Sequence, residues 1–237
     1  MTTALPDIQR NLEVVRERIR RAAASAGRDP DTIRLIAVSK YMPPAHITRA
    51  MAAGQHVFGE NTVQDTLTKL PLIQDPQNEW HFIGHLQTNK ARHIASNFAW
   101  LHTLDSLKLA RKLAQHAEAA GRHVRVLIQV NISGDPDKFG LAPEAVAGFA
   151  DEFLGAGLAG ISLHGLMTIG RREASESERR REFAHTRDLS HACAARFGAT
   201  HFTELSMGMS NDYEIAISAG ATMVRIGSAI FGPRPQA

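Results

Sequence analysis

The chain has 237 residues, of which 43 % are hydrophobic and 22 % charged, and its formal net charge is +3. This length is typical of one α/β barrel, and no linker divides the sequence, so we predict a single domain over residues 1–237. The single cysteine, Cys193, excludes an internal disulfide framework, and the absence of a long apolar run or a leader-like N-terminus predicts a cytoplasmic protein without a membrane span.

Helical and strand patterns alternate along the chain. Residues 7–26 place apolar side chains at three- and four-residue steps, which predicts an amphipathic helix before the first strand. The run 33–40 (IRLIAVSK) is almost entirely apolar and ends in Lys40, which predicts a strand buried on both faces, as in a parallel sheet. Seven further strands are predicted at 56–61, 80–83, 100–104, 124–130, 161–168, 201–205 and 222–226. The helices predicted between them are 45–53, 63–70, 86–96, 107–120, 142–155 and 212–218, with a highly charged helix from about residue 171.

Eight strands that alternate with helices predict an α/β fold of the (β/α)8 TIM barrel type, with an extra N-terminal helix. The alternative is an open doubly wound sheet, but no G-x-G-x-x-G sequence follows the first strand. In both folds Lys40 would lie at the carboxyl-terminal mouth of its strand. Partial desolvation there would lower the pKa of the amine and make it a nucleophile toward an aldehyde. A lysine that simply extends into solvent is the other interpretation.

Two loops near the C-terminus have the composition of a phosphate site. Residues 206–212 and 227–229 follow the last two strands, where barrels commonly bind phosphate, and they offer hydroxyls and backbone N–H groups. Asn211 or Asp212 is expected to cap the helix after the first loop. Arg225 lies in the apolar sequence TMVRIG and needs an acceptor, either a bound ligand or a carboxylate such as Glu204. A strand-end lysine, a phosphate loop and a buried cation suggest pyridoxal phosphate (PLP).

Other kinds of site fit the sequence less well. His81 and His85 have an H-x3-H spacing but span a strand end, without a carboxylate or cysteine at ligand spacing, so we predict no metal. A G-x-S-x-G hydrolase motif is missing from the sequence. Arginines and glutamates interleave over residues 171–182, which is typical of a solvated helix face and argues against nucleic-acid binding.

Six sequence blocks occur in order over nearly the whole chain. They are AVSK (37–40), FGEN (58–61), WHFIGHLQTNK (80–90), GLMTIG (165–170), LSMGMSND (205–212) and VRIGSAIFG (224–232). Together they resemble the pyridoxal phosphate homeostasis proteins, the YggS-like or PROSC-like family. The resemblance implies a barrel similar to the N-terminal domain of alanine racemase (PLP fold type III), with Lys40 as the Schiff-base lysine. It also implies that the phosphate is held by Ser206, Gly227 and Ser228, that the pyridine nitrogen faces Arg225, and that the ring lies near Asn61 and Met167.

The resemblance implies a non-catalytic protein that binds PLP reversibly and buffers or delivers it, with PLP-dependent apo-enzymes as candidate recipients. The alternative is an amino-acid racemase. After the last strand and the loop that follows it, only residues 231–237 are left, so we expect no second domain to supply an opposing base, and we expect a monomer. Thr62 and Tyr41 replace residues common in the family, Tyr and a small residue respectively, so contacts at the ring edge are expected to differ.

Overall fold

The computed structural model describes residues 6–171 and 173–233. Eight parallel strands form a closed barrel in which each strand pairs with the next and the eighth pairs with the first. This closure confirms the predicted (β/α)8 barrel. The strands are β1 Arg34–Val38, β2 Val57–Glu60, β3 Glu79–Phe82, β4 Trp100–Leu104, β5 Val124–Val130, β6 Ile161–Thr168, β7 Glu204–Met209 and β8 Met223–Ile226.

The helices surround the barrel. They are α1 Ile8–Ser25, α2 Pro44–Ala52, α3 Val63–Lys69, α4 Ala91–Asn97, α5 Leu107–Ala119, α6 Val146–Gly155, α7 Glu176–Phe197, α8 Tyr213–Ser218 and α9 Ser228–Phe231. None of these helices in the described part of the chain is long and apolar enough to cross a membrane. Short 3-10 turns cover Pro30–Thr32, Leu70–Leu72, Thr88–Lys90, Pro143–Ala145 and Ala199–His201.

The extra N-terminal helix is present as predicted. The carboxylate of Asp7 accepts a hydrogen bond from the backbone N–H of Arg10, which satisfies one of the unpaired donors of the first turn of α1. The apolar face of α1 is buried and packs against α2, α8 and α9. Asn11 Nδ2 donates to the carbonyl oxygen of Ile230 (2.9 Å), so α1 also fixes the last turn of chain after the barrel.

Apolar side chains form two separate cores. The larger core lies between the strands and the helices. A smaller cluster comprises the buried side chains of Ile36, Trp100, Leu127, Met167 and Met223. These five residues come from β1, β4, β5, β6 and β8, and they form an apolar layer across the barrel interior.

The largest departure from the predicted elements is in β7. The strand was expected at 201–205, but residues 199–201 form a 3-10 turn and the strand runs from Glu204 to Met209. Its pairing with β8 shifts register between Ser206 and Met209. Gly208 has a φ of +92°, and a Cβ there would lie 2.6 Å from the Cβ of Ala216, so the irregular segment requires glycine. The mouth of β7 therefore lies four residues further along the chain than expected.

Candidate functional site

A cleft of about 610 Å³ opens at the carboxyl-terminal ends of the barrel strands. This is the face at which barrel enzymes carry their active sites. Five of the seven residues predicted to bind the cofactor line the cleft: Lys40, Asn61, Arg225, Gly227 and Ser228. The structure does not bring the other two, Ser206 and Met167, to the cleft; both are fully buried within the barrel.

Lys40 follows β1 and is half-buried at the cleft. Among the lysines in the described part of the chain, it alone lines the cleft. Two other lysines of interest are not among the residues that line the cleft: Lys90 belongs to a 3-10 turn, and Lys138 Nζ donates to the carbonyl oxygen of Gly170 (3.0 Å). Lys40 therefore lies at the carboxyl-terminal mouth of its strand, where the sequence predicted it.

A buried ionic cluster holds the backbone on both sides of Lys40. Lys69 Nζ donates to the carbonyl oxygen of Ser39 (3.0 Å), to Glu60 Oε1 (3.2 Å) and to Asp65 Oδ2 (2.6 Å). Ser39 Oγ donates to Glu60 Oε1 (2.7 Å), and the N–H of Tyr41 donates to Asp65 Oδ2 (3.0 Å). Burial raises the pKa of the Glu60 carboxyl, and the Lys69 ammonium opposes that rise.

Sequence reasoning missed this cluster, which we call the Lys69 cluster (Ser39, Glu60, Asp65 and Lys69). A signal for it was present in the sequence. Asp65 and Lys69 are four residues apart on α3, and Glu60 ends β2 next to β1. Tyr41 adopts a φ of +62°, which is unusual for a residue other than glycine, and its N–H bond to Asp65 helps to hold that conformation.

Arg225 reaches the cleft from the interior of β8 with 4 % of its surface exposed. Its Nη1 donates to Ser206 Oγ (2.6 Å) and its Nη2 to the carbonyl oxygen of Thr168 (2.8 Å). Burial lowers the pKa of Arg225 to about 10, so the guanidinium remains protonated at neutral pH. Glu204, the carboxylate considered as its alternative acceptor, accepts instead from Thr222 Oγ1 (2.6 Å). Arg225 thus presents a positive charge to the cleft and is anchored by neutral oxygens.

Ser206 lies beneath the cleft and not in it. Its hydroxyl accepts from Arg225 and is 2.8 Å from Nδ1 of His102, so it is engaged within the barrel. Ser210, four residues later, lines the cleft. The reason is the extension of β7 to Met209, which moves the end of the strand past Ser206.

Met167 is likewise enclosed, in the apolar layer formed with Ile36 and Trp100. Its side chain is fully buried, so it can support the floor of the cleft but does not line it.

The two predicted phosphate loops meet at one wall of the cleft. Ser210 Oγ accepts from the N–H of Gly227 (3.3 Å) and of Ala229 (3.5 Å). Asp212 precedes α8 but makes no side-chain capping bond; its carboxylate accepts from the N–H of Met209 and pairs with Arg179 (3.2 Å). The wall therefore combines a hydroxyl with backbone N–H groups, as an oxyanion requires.

The charges around the cleft are mostly positive. Arg171 and Arg179 line it together with Lys40 and Arg225, whereas Asp212 is the one carboxylate among the described lining residues. The sequence pattern led us to place both arginines on a solvated helix face. Arg171 is exposed but precedes α7, whereas Arg179 lies on α7 with its side chain mostly buried. Arg180, which pairs with Glu176 (2.6 Å), does lie on such a face. A cationic cleft favours an anionic ligand.

The opposite wall is aromatic and closely packed. The rings of His85 and Phe139 stack with centroids 3.7 Å apart, and Phe139 remains half exposed. Gly84 lies so close to the backbone of Asn61 that no side chain would fit there. His81, by contrast, points into the barrel, so the two histidines of the H-x3-H pattern lie apart. Among residues 6–171 and 173–233, no group of three or more potential ligands could hold a metal ion.

Comparison with known proteins identifies the family. The sequence model described as alanine racemase, N-terminal domain, matches residues 7–235. The chain is 43 % identical over 227 residues to the pyridoxal phosphate homeostasis protein of Pseudomonas aeruginosa, with 96 % of each chain covered. It is 44 % identical over 236 residues to that of Escherichia coli K12, with 96 % of this chain and 97 % of the relative covered. The chain belongs to the pyridoxal phosphate homeostasis protein family. The resemblance seen in the six sequence blocks is confirmed.

Solved structures agree with membership of this family. PipY of Synechococcus elongatus, solved with PLP bound, superposes with a TM-score of 0.80 at 36 % identity, covering 91 % of this chain and all of PipY. An alanine racemase of Clostridium difficile superposes with a TM-score of 0.73 at 16 % identity. That match covers 97 % of this chain but 57 % of the racemase, and it shows the shared barrel fold alone.

Proposed function

We propose that this protein binds PLP reversibly in the cleft and acts as a non-catalytic buffer or carrier of the cofactor. The observation that carries the proposal is the convergence of Lys40, Arg225 and the Ser210–Gly227 wall on one cationic cleft. A primary amine, a fixed cation and an oxyanion wall match the aldehyde, the ring nitrogen and the phosphate of PLP. The names of the relatives and the PLP-bound structure of PipY support the same ligand.

Lys40 is the proposed point of attachment. PLP supplies an aldehyde carbon that condenses with a primary amine with loss of water, and water reverses the reaction. The Lys69 cluster fixes the backbone on either side of Lys40, so the amine is held at the mouth of β1. A reversible covalent bond at a pre-formed site suits a protein that must both retain and release its ligand.

For the phosphate we propose Ser210, together with the backbone N–H groups at Gly227 and Ser228. Ser210 takes the place that the sequence resemblance gave to Ser206, because Ser210 lines the cleft and already accepts from this turn. Arg179, tied to the same loop through Asp212, adds positive charge at the cleft.

Arg225 is proposed to face the ring nitrogen and Asn61 to lie near the ring, with Met167 acting as support from below. Arg225 is a donor without acceptor capacity, so a ring nitrogen that it contacts must stay unprotonated. An unprotonated ring attracts electrons weakly, which disfavours the carbanion chemistry of a racemase. This is the physical reason to expect a binding protein and not a racemase. As part of the same proposal, the protein acts as a cytoplasmic monomer with PLP-dependent apo-enzymes as recipients.

The visible absorption spectrum of the purified protein with added PLP tests the proposal. Borohydride reduction followed by peptide mapping should place the label on Lys40. Lys40→Ala should lose the visible band, whereas the matched variant Lys90→Ala, outside the cleft, should keep it. Retention of the full band in Lys40→Ala would show that the attachment point is wrong.

A further inference from the structure

A row of polar side chains runs through the barrel interior beneath the cleft. Glu79 Oε1 lies 2.9 Å from His81 Nε2, and His81 Nδ1 lies 2.8 Å from His102 Nε2. His102 Nδ1 lies 2.8 Å from Ser206 Oγ, which accepts from Arg225 (2.6 Å). We call these five residues the interior chain. Its members come from β3, β4, β7 and β8, and it reaches from the amino-terminal ends of the strands to the cleft.

The donors and acceptors of the interior chain fix its direction. The ionised Glu79 carboxylate can only accept, so His81 donates to it from Nε2, and the neutral His81 ring accepts at Nδ1 from Nε2 of His102. The neutral His102 ring accepts at Nδ1 from the Ser206 hydroxyl, and the Ser206 oxygen accepts from Arg225, which can only donate. Every hydrogen bond therefore points from Arg225 toward Glu79.

The charge states of the interior chain agree with this direction. Burial lowers the pKa of His81, and it lowers the pKa of His102 well below its ordinary value, so both rings are neutral at pH 7. The hydrogen bond from His81, with Arg34 and Arg125 nearby, lowers the pKa of Glu79 to about 2. The far end of the interior chain is thus a carboxylate at neutral pH.

The rings of the interior chain cannot easily turn. His81 stacks on Trp100 with centroids 5.5 Å apart, and Arg125 lies over the indole at 5.0 Å. His81, His102 and Ser206 are each fully buried. Barrel interiors are usually filled by branched apolar side chains, and burying polar groups there costs free energy. Three buried polar groups in this position therefore indicate a role that leucine or valine could not fill.

We propose that His102 and His81 are positioning residues that hold Arg225 in register with the ring nitrogen of the cofactor, an inference that rests on the proposed function. A serine hydroxyl alone can rotate and turn its lone pairs away. When the Ser206 hydroxyl donates its hydrogen bond to His102, a lone pair of the Ser206 oxygen faces Arg225 Nη1. The carbonyl oxygen of Thr168 fixes Nη2. The remaining N–H groups of Arg225, which these two bonds do not use, then face the cleft.

The test compares two ligands on three proteins. The ligands are PLP and its 1-deaza analogue, in which C–H replaces the ring nitrogen; the analogue is measured by competition against the visible PLP band. The proteins are the unaltered protein and the variants His102→Leu and His102→Gln. The glutamine amide offers a carbonyl oxygen as acceptor and an NH2 group as donor, so it can restore the direction of the interior chain.

His102→Leu should weaken PLP binding about tenfold, the loss expected for one hydrogen bond to a charged group, and should leave the affinity for the 1-deaza analogue unchanged. His102→Gln should recover most of the PLP affinity. Equal weakening of both ligands would mean a general packing role and would overturn the inference, as would equal affinities of the unaltered protein for the two ligands.

The absence of a visible band when PLP is added to the unaltered protein would contradict the proposed function itself, and this outcome is distinct from failure of the positioning role. Thermal unfolding reports whether His102→Leu is folded. Where it is not, Ser206→Ala breaks the interior chain one step closer to Arg225 and should show the same selective loss for PLP. Equal loss for both ligands in Ser206→Ala would again overturn the inference.

Discussion

Replacing Lys69 with methionine tests whether the Lys69 cluster fixes the strand end that carries Lys40. The ammonium is nearly fully buried and donates to Ser39, Glu60 and Asp65. Methionine keeps most of the side-chain volume but leaves Glu60 as a buried carboxylate without its cation. Breaking a buried ion pair in this way costs about 3–5 kcal/mol. We expect Lys69→Met to lose about that much free energy of unfolding and to bind PLP more weakly than the unaltered protein.

The loss in Lys69→Met should depend on pH in a defined direction. Burial already raises the pKa of Glu60 above its ordinary value of 4.5, and removing Lys69 raises it further. A carboxyl whose pKa is higher in the folded state favours folding below the unfolded pKa, and this contribution is lost as pH rises through the folded pKa. The deficit relative to the unaltered protein should therefore be small near pH 4.5 and grow toward neutral pH.

Chemical denaturation at several pH values measures the Lys69→Met deficit. The double variant Lys69→Met with Glu60→Gln is the matched control, because it removes the unpaired charge and should recover much of the stability at neutral pH. A deficit below about 1 kcal/mol, the size of an exposed ion pair, would refute the reasoning. A deficit that shrinks as pH rises would refute it as well.

Three further predictions follow from the site. Ser210→Ala should weaken PLP by about 1.5–3 kcal/mol, roughly tenfold or more, while the already weak binding of pyridoxal, which lacks the phosphate, should not change in titrations of the visible band. Glu79→Gln should be less stable than the unaltered protein at neutral pH. Because the pKa of Glu79 is lowered in the folded state, its ionised carboxylate stabilises the fold only above that pKa, and the difference should vanish as pH falls toward about 2. Denaturant titrations at several pH values measure this difference. The PLP-loaded protein should racemise L-alanine in deuterated water at well below about 1 s⁻¹, the low end of ordinary enzymes, as measured by chirality and loss of the α-hydrogen.

The fold could be predicted because its signals are local and repeated. Each strand is a short apolar run with a helical pattern on either side, and eight such units leave few arrangements other than a barrel. What could not be predicted is where irregular segments begin. Residues 88–90 and 143–145 form 3-10 turns where regular helix was expected, and β7 extends to Met209 through a change of register. Such irregularities depend on tertiary packing, as at Gly208, and leave no periodic trace in the sequence.

The sequence placed residues at the cleft correctly where their position depends on a strand end, and it failed where their position depends on the direction of a side chain. Lys40 and Arg225 lie at the cleft as expected. Ser206 was taken as a loop residue because β7 was expected to end at residue 205, and four more residues of strand place Ser210 at the mouth instead. Arg179 looked like part of a solvated charged face. Its contact with Asp212 depends on how α7 packs against the loop before α8, which one sequence does not reveal.

The two anchors proposed for the cofactor share one structural principle, and this bears on how PLP would be released. The Lys69 cluster fixes the backbone beside Lys40, and Ser206 with the interior chain supports Arg225. Lys69 is buried at the end of α3 and the interior chain is buried in the barrel. Anchors of this kind are in place before the ligand arrives, so little ordering free energy is lost when it binds. They also cannot loosen without disturbing the barrel. Release of PLP is therefore expected to begin with water reversing the bond at Lys40, while the side chains of Lys40 and Arg225 stay in place.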